Sequence, residues 1–148
     1  MPVSTGVLRT HIDYTAWASL RLLRAAASLT PAELTHDFHT VGRSILGALA
    51  HLYGWDRLWL SRLADGSPPG YVTEADRSLA ALQTGWPALL ERWQAWAADL
   101  TDERVLAQIA YSDRKGRPWK EPLCQLILHA VNHGLRFPAK PGPPAASH

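Results

Sequence analysis

Four stretches of this sequence repeat apolar residues at three- and four-residue spacing, and strong helix breakers separate them. A chain punctuated in this way hides its apolar stripes most readily by packing helix against helix. The first stretch runs from about Val7 to Leu29. Leu8, Ile12, Thr15, Ala16, Ser19, Leu22, Leu23 and Ala26 fall near one stripe, with Arg9, Asp13, Arg21 and Arg24 largely off it. Thr30-Pro31 with Glu33 then reads as a cap, a first-turn proline and a short turn of helix. The second stretch, from about Arg43 to Leu63, carries Ile45, Leu49, Leu52, Trp59 and Leu63 and stops before Asp65-Gly66-Ser67-Pro68-Pro69-Gly70. The third spans Ser78 to Leu100, with Asp76 as candidate N-cap. Pro87 inside it predicts a kink or a restart near Trp86, because proline removes a backbone donor and crowds the preceding turn.

Val105, Ala107, Ile109 and Tyr111 sit at two-residue spacing, and Asp113-Arg-Lys-Gly116 follows as a turn, so 105–119 reads as a short extended segment or hairpin. A fourth helix starts near Lys120-Glu121-Pro122 and carries Leu123, Leu126, Ile127, Ala130 and Val131 to about His133 or Arg136. The predicted fold is therefore an all-α four-helix bundle with a short extended or hairpin insertion before its last helix. Residues 1–137 form the domain, and the Pro- and Ala-rich stretch 138–148 is expected to be a disordered tail. A length of 148 residues suits one domain, and 47% apolar against 19% charged residues excludes global disorder. Fifteen basic residues (twelve of them Arg) face thirteen acidic ones without clustering, so no nucleic-acid partner is expected. A single cysteine, Cys124, excludes an intramolecular disulfide and a multi-cysteine metal site. No apolar run approaches the ~18 residues of a membrane span, and Met1 to Thr10 does not read as a secretory signal. The expected setting is cytoplasmic.

Seven His and seven Trp stand out in a chain with one Met and two Phe. His51, His129 and His133 fall on predicted helices with core-facing stripes. His129 and His133 are four residues apart, a spacing that stacks two imidazoles on one helix face within reach of one ion. Imidazole suits Zn, Ni, Cu and Fe, and three histidines leave positions for water or substrate. A lone core-facing histidine is more often a hydrogen-bonded core residue; the pair is more specific, and sequence alone does not bring the third to it. His36 and His39 read as surface residues, His11 as a packing or hydrogen-bonding residue, and His148 as part of the tail.

Several stretches together resemble the DinB/YfiT-like superfamily. They are Asp13-Tyr14-Thr-Ala-Trp17-Ala-Ser-Leu-Arg-Leu-Leu, the run from Ser44 through His51, Asp56 and Trp59 to Leu63, Tyr111-Ser-Asp113-Arg-Lys-Gly116, and Leu126-Ile-Leu-His129-Ala-Val-Asn132-His133-Gly134. The resemblance covers about 7–136. It implies a four-helix bundle holding one divalent transition metal, Zn or Ni, on three histidines. His51 matches the ligand of the second helix and His133 the first of two on the fourth. The remaining ligand is expected at position 137, where this chain has Phe137 followed by Pro138. Either the site is lost or reduced to two histidines, or His129, about one 5.4 Å turn earlier, substitutes. The abrupt change after Gly134 also suggests a shifted reading frame or a truncation, which re-sequencing the gene would test.

The resemblance implies two chemistries, metal-dependent hydrolysis and transfer or isomerisation using a low-molecular-weight thiol such as bacillithiol or mycothiol. It also implies a small-molecule substrate or thiol and a homodimer, and the family's historical name refers to damage-inducible expression, a stress response. A different class of reading is a non-catalytic helical dimerisation or interaction protein without metal. Most of the tryptophans are expected to pack the core, Trp59 among them, with Trp55 the candidate for a pocket wall. Tyr53, Asp56 and Asn132 are candidates to orient a metal-bound imidazole, and Asp56 is a guess at a general base.

Overall fold

The computed structural model describes residues 4–40, 42–65 and 72–136, without the side chains of 65 and 133–136. The predicted tail, 138–148, and Phe137 lie outside the described residues. Five successive helices each begin on a Ser or Thr hydroxyl that accepts an N–H of the first turn, where no carbonyl within the helix is available. In α1 (Thr5–Ala27) Ser4 accepts from Val7 at 3.3 Å, and in α2 (Pro31–Thr35) Thr30 accepts from Glu33 at 3.2 Å. In α3 (Ile45–Leu60) Ser44 accepts from Gly47 at 2.9 Å. In α4 (Leu79–Ala98) Ser78 accepts from Ala81 at 3.1 Å, and in α5 (Asp102–Val105) Thr101 accepts from Arg104 at 3.1 Å.

Three sequence expectations change here. Asp76 does not cap α4; it ends a 3-10 turn, Glu74–Asp76, and its Oδ2 accepts the Thr73 N–H at 2.9 Å. Ser78 stands next to Leu79 and takes the cap instead. Pro87 does not restart the helix, and α4 runs from Leu79 to Ala98 without a break. The proline deprives only the carbonyl of Gln83, an exposed residue, of its donor. Leu82, Trp86, Leu89, Leu90 and Trp93 hold both halves of the helix in the core. The second helix stops at Leu60, three residues earlier than expected, and widens into a π turn, Ser61–Asp65.

The expected hairpin is present. β1 (Gln108–Ser112) pairs antiparallel with β2 (Pro118–Pro122), Gln108 facing Pro122 and Tyr111 facing Trp119. Asp113 ties its turn: Oδ1 accepts the Lys115 and Arg117 amides, each at 2.9 Å, and Oδ2 accepts Arg117 Nε at 2.8 Å and the Trp119 indole at 3.1 Å. β2 passes directly into α6 (Leu123–Arg136), whose first N–H donates to the Ala107 carbonyl at 2.9 Å.

α1 and α3 each pack on α4 and on α6, so the four long helices close a ring in the order α1, α4, α3, α6. Leu8, Ile12, Ala16 and Leu23 of α1 meet Trp86, Leu90 and Trp93 of α4 and Leu126, Ile127 and Ala130 of α6 in one core. At Gly85 a Cβ would stand 2.9 Å from the Tyr53 hydroxyl, so the missing side chain lets α3 and α4 approach there. Arg9 crosses from α1 to the end of α4 and donates to the carbonyls of Ala97 (2.9 Å), Ala98 (3.3 Å) and Leu100 (2.6 Å). On α1, Leu22, expected on the apolar stripe, is 46% exposed, Trp17 does not join the core tryptophans and is 51% exposed, and His11, expected to pack or to hydrogen-bond, is exposed. Leu22 falls between two turns that present Leu23 and Ala26 inward, and the period of 3.6 carries it off the stripe.

Candidate metal centre and its cavity

α3 presents two faces with different work. Leu49, Leu52, Tyr53, Trp59 and Leu60 enter the core. Gly47, His51, Trp55 and Leu58, each three or four residues from the next, line a cavity of about 350 Å³. Val72 and Arg77, from the segment before α4, and Arg114, from the hairpin turn, also line it. Gly54 lets Val72 approach this wall: a Cβ there would stand 2.5 Å from Val72 Cγ2, so the valine would have to shift. The volume suits a small organic ligand.

His51 retains solvent access, and its pKa is lowered, first by the burial it does have and then by the positive charge of Arg114. The imidazole is therefore neutral near pH 7, the form with a lone pair to offer a metal or a proton. Trp55 connects this cavity to α6. Its indole N–H donates to the Ala130 carbonyl at 3.0 Å, and its ring lies 5.5 Å from that of His129. His129 also meets Trp59 edge-on at 5.4 Å, and Arg62 covers the Trp59 and Tyr111 rings at 4.9 and 5.3 Å. His51 and His129 thus border the same tryptophan from two helices. His133 follows one turn later in α6, on the register of the buried Leu126 and Ala130, and its side chain is outside the described set. Among the described residues no group of three or more His, Cys, Asp and Glu side chains is placed to hold a metal ion. The described imidazoles therefore do not complete a site by themselves.

A model of the DinB family matches residues 1–136, a span that includes every described residue. The chain belongs to the DinB family. No curated protein and no solved structure matches it significantly. Among the described residues of this DinB chain, no helix is long and apolar enough to cross a membrane.

The remaining sequence candidates fall elsewhere. Asp56 is turned from the His51 cavity toward α4. Its Oδ2 accepts the Trp86 indole N–H at 2.9 Å, its own carbonyl accepts that of Trp93 at 3.0 Å, and it borders a small cleft with Ile12, Leu90 and Val131. Desolvation raises its pKa to about 7, against the opposing pull of the Trp86 hydrogen bond. Tyr53 is buried beside Trp86, and Asn132 is exposed on α6. Trp55 lines the cavity as expected, and Trp59 is core. Sequence reasoning missed Arg77, Arg114 and Val72. Only the turn signal at 113–116 pointed near one of them.

Proposed function

We propose that this DinB-family protein binds a divalent transition metal, zinc or nickel, where α3 meets α6, and uses it on a small molecule held in the His51 cavity. His51 and His133 supply two imidazoles and His129 the third, in place of the ligand expected at 137. The observation that carries the reading is the bridge made by Trp55, which lines the cavity beside His51 and is fixed to α6 next to His129. A bound ion supplies Lewis acidity, lowering the pKa of a water or holding a thiol as thiolate. The reaction is then a hydrolysis or a transfer from a low-molecular-weight thiol. Around it the chain's own groups have definite work. His51 stays neutral beside Arg114, and Trp55 and Val72 offer it an aromatic and an aliphatic wall. We propose a homodimer as the assembly, checked by light scattering.

Metal analysis of untagged protein tests this reading. Near-stoichiometric zinc or nickel is expected, lost in His51→Ala and in His133→Ala. His129→Ala should weaken retention as strongly; unchanged affinity would exclude His129 as a ligand. Protein without metal after growth in zinc and nickel would sink the proposal. It would favour a non-catalytic interaction protein, a reading supported by the exposed Tyr14, Trp17 and Leu22 on α1.

A further inference from the structure

We infer that the open edge of β1, Gln108–Ser112, joins the same edge of a second copy of this chain, strand antiparallel to strand, so that the two hairpins form one continuous sheet across a two-fold axis. The inference rests on the homodimer proposed above, and it names the surface that makes it.

The hydrogen bonds of the hairpin fix which way each backbone group of β1 faces. At one end the Asp113 N–H donates to the Arg117 carbonyl at 3.0 Å, and at the other the Ala107 carbonyl accepts the Leu123 N–H at 2.9 Å. Bonded and non-bonded pairs alternate along an antiparallel ladder, so Ile109–Glu121 and Tyr111–Trp119 are the bonded pairs between those ends. The N–H and C=O groups of Gln108, Ala110 and Ser112 therefore face away from β2, and among the described residues none supplies them with a hydrogen bond. All three residues are exposed. The opposite edge of the hairpin is protected. Its outward positions are Pro118, Lys120 and Pro122, where the prolines have no N–H and the lysine repels a second strand of its own kind. β1 carries no proline and no charge, and its register holds no bulge. A second copy matches this edge without a pocket. About a two-fold axis at Ala110, each edge offers the other outward N–H and C=O groups at the same spacing. Ala110 then falls opposite itself, Gln108 opposite Ser112 and Ile109 opposite Tyr111. The alanines are small enough to meet, the Gln108 amide and Ser112 hydroxyl are neutral hydrogen-bonding mates, and Ile109 with Tyr111 is a β-branched and aromatic cross-strand pair. The strand is already held for this pairing, since the Tyr111 ring meets Trp59 edge-on at 5.4 Å. An extended peptide from another protein would draw its specificity from pockets beside the edge, and neither of the two cavities described above is lined by Gln108–Ser112.

Sedimentation of the full chain over a concentration series tests the inference, with Ala110→Lys and Ala110→Pro beside the wild type. The wild type should sediment as a dimer at high concentration. Each substitution should raise the dimer dissociation constant at least roughly tenfold, the lysine by setting two ammonium groups against each other on the axis and the proline by removing an N–H that points at the second copy. Ala110 is exposed and its N–H faces away from β2, so both variants should keep the wild-type circular dichroism. Ala110→Cys supplies a test that does not depend on lost assembly. Bonded pairs in an antiparallel ladder stand roughly 5.5 Å apart at Cα, within the span of a disulfide, so mild oxidation should link the two copies. Ala95→Cys, exposed on α4, should not link, and the native Cys124 is buried. A dimer whose dissociation constant is unmoved by both Ala110→Lys and Ala110→Pro overturns the inference and leaves the homodimer standing on another surface. The same holds if Ala110→Cys protein links no faster than Ala95→Cys protein. A wild-type chain that stays monomeric throughout the series sinks this inference and the homodimer together.

Discussion

Two aspartates illustrate how far a residue's neighbours decide its charge. Asp113 is in the hairpin turn. Although desolvation opposes it, donors from the Arg117 amide, the Trp119 indole, the Arg117 guanidinium and the Lys115 amide hold its carboxyl well below the usual range. Its contribution to stability is present above the unfolded value of about 3.9 and is lost only as pH falls through the depressed folded value. Asp56 behaves in the opposite sense. Its carboxyl moves from 3.8 to about 7 on folding, because desolvation outweighs the single Trp86 hydrogen bond. Between those values the folded state holds a proton that the unfolded chain has released, so stability falls as pH rises from about 4 to about 7 and is flat beyond. Asp56→Asn keeps an acceptor for the Trp86 indole and removes the charge. It should raise the unfolding free energy at pH 8 by on the order of 2–4 kcal/mol, leave it nearly unchanged at pH 4, and flatten the profile between. Urea unfolding at the two pH values measures this, and an equal gain at both would mean that charge is not the cause. The sequence marked Asp56 as a candidate to orient a metal-bound imidazole and as a guess at a general base. Five residues apart, His51 and Asp56 point to different faces, and neither Trp86 nor Trp93 could be assigned as the partner of Asp56 before α3 and α4 were packed.

The helices were legible as elements because their signal is local. Apolar spacing placed all four long helices, and the two-residue alternation with Asp113-Arg-Lys-Gly116 placed the hairpin. What was not legible depends on competition between neighbours. Asp76 and Ser78 both qualify as caps, and the choice turned on which one Thr73 engages. Pro87 looked like a break because its cost is local, whereas the burial that outweighs it is spread along α4. Val105 was read as extended and instead closes the short α5, since Thr101 supplies a cap that alternation does not register. Arg9 is the least legible, an off-stripe residue of α1 that serves another helix. At the end of α4 the Arg9 guanidinium adds donors to the carbonyl of Ala97, which also accepts the Leu100 N–H, to that of Ala98, and to that of Leu100 just beyond the helix. Arg9→Ala should cost about 1.5–3 kcal/mol by urea unfolding, the range for a charged hydrogen bond lost from a partly buried carbonyl. Arg9→Lys should recover less than half, since a single ammonium cannot reproduce the fork. A cost under ~0.5 kcal/mol would assign the end of α4 to solvent.

At the scale of the whole molecule, the ring order α1, α4, α3, α6 brings two distant parts of the sequence side by side, and the proposed ligands lie on both sides of that junction. His51 belongs to α3, and His129 and His133 to α6, about eighty residues later. The unfolded chain cannot offer these imidazoles together, so metal affinity in the proposed site appears directly as folding stability. With free zinc at 100 times the dissociation constant the linkage is worth about 2.7 kcal/mol. For a chain of this size that shifts Tm by roughly 5–10 °C. Zinc or nickel should therefore raise Tm by that amount in the wild-type protein, and a chelator should reverse it. His51→Ala and His133→Ala should each abolish the rise, because each removes the grip on one side of the junction. Arg77→Gln and Arg114→Gln should leave the rise intact, since they line the cavity and are not proposed as ligands. A rise that survives His51→Ala would mean that the metal sits on α6 alone, where two histidines at four-residue spacing can hold an ion without clamping α3. The absence of any rise in the wild-type protein would remove the metal from the function of this fold.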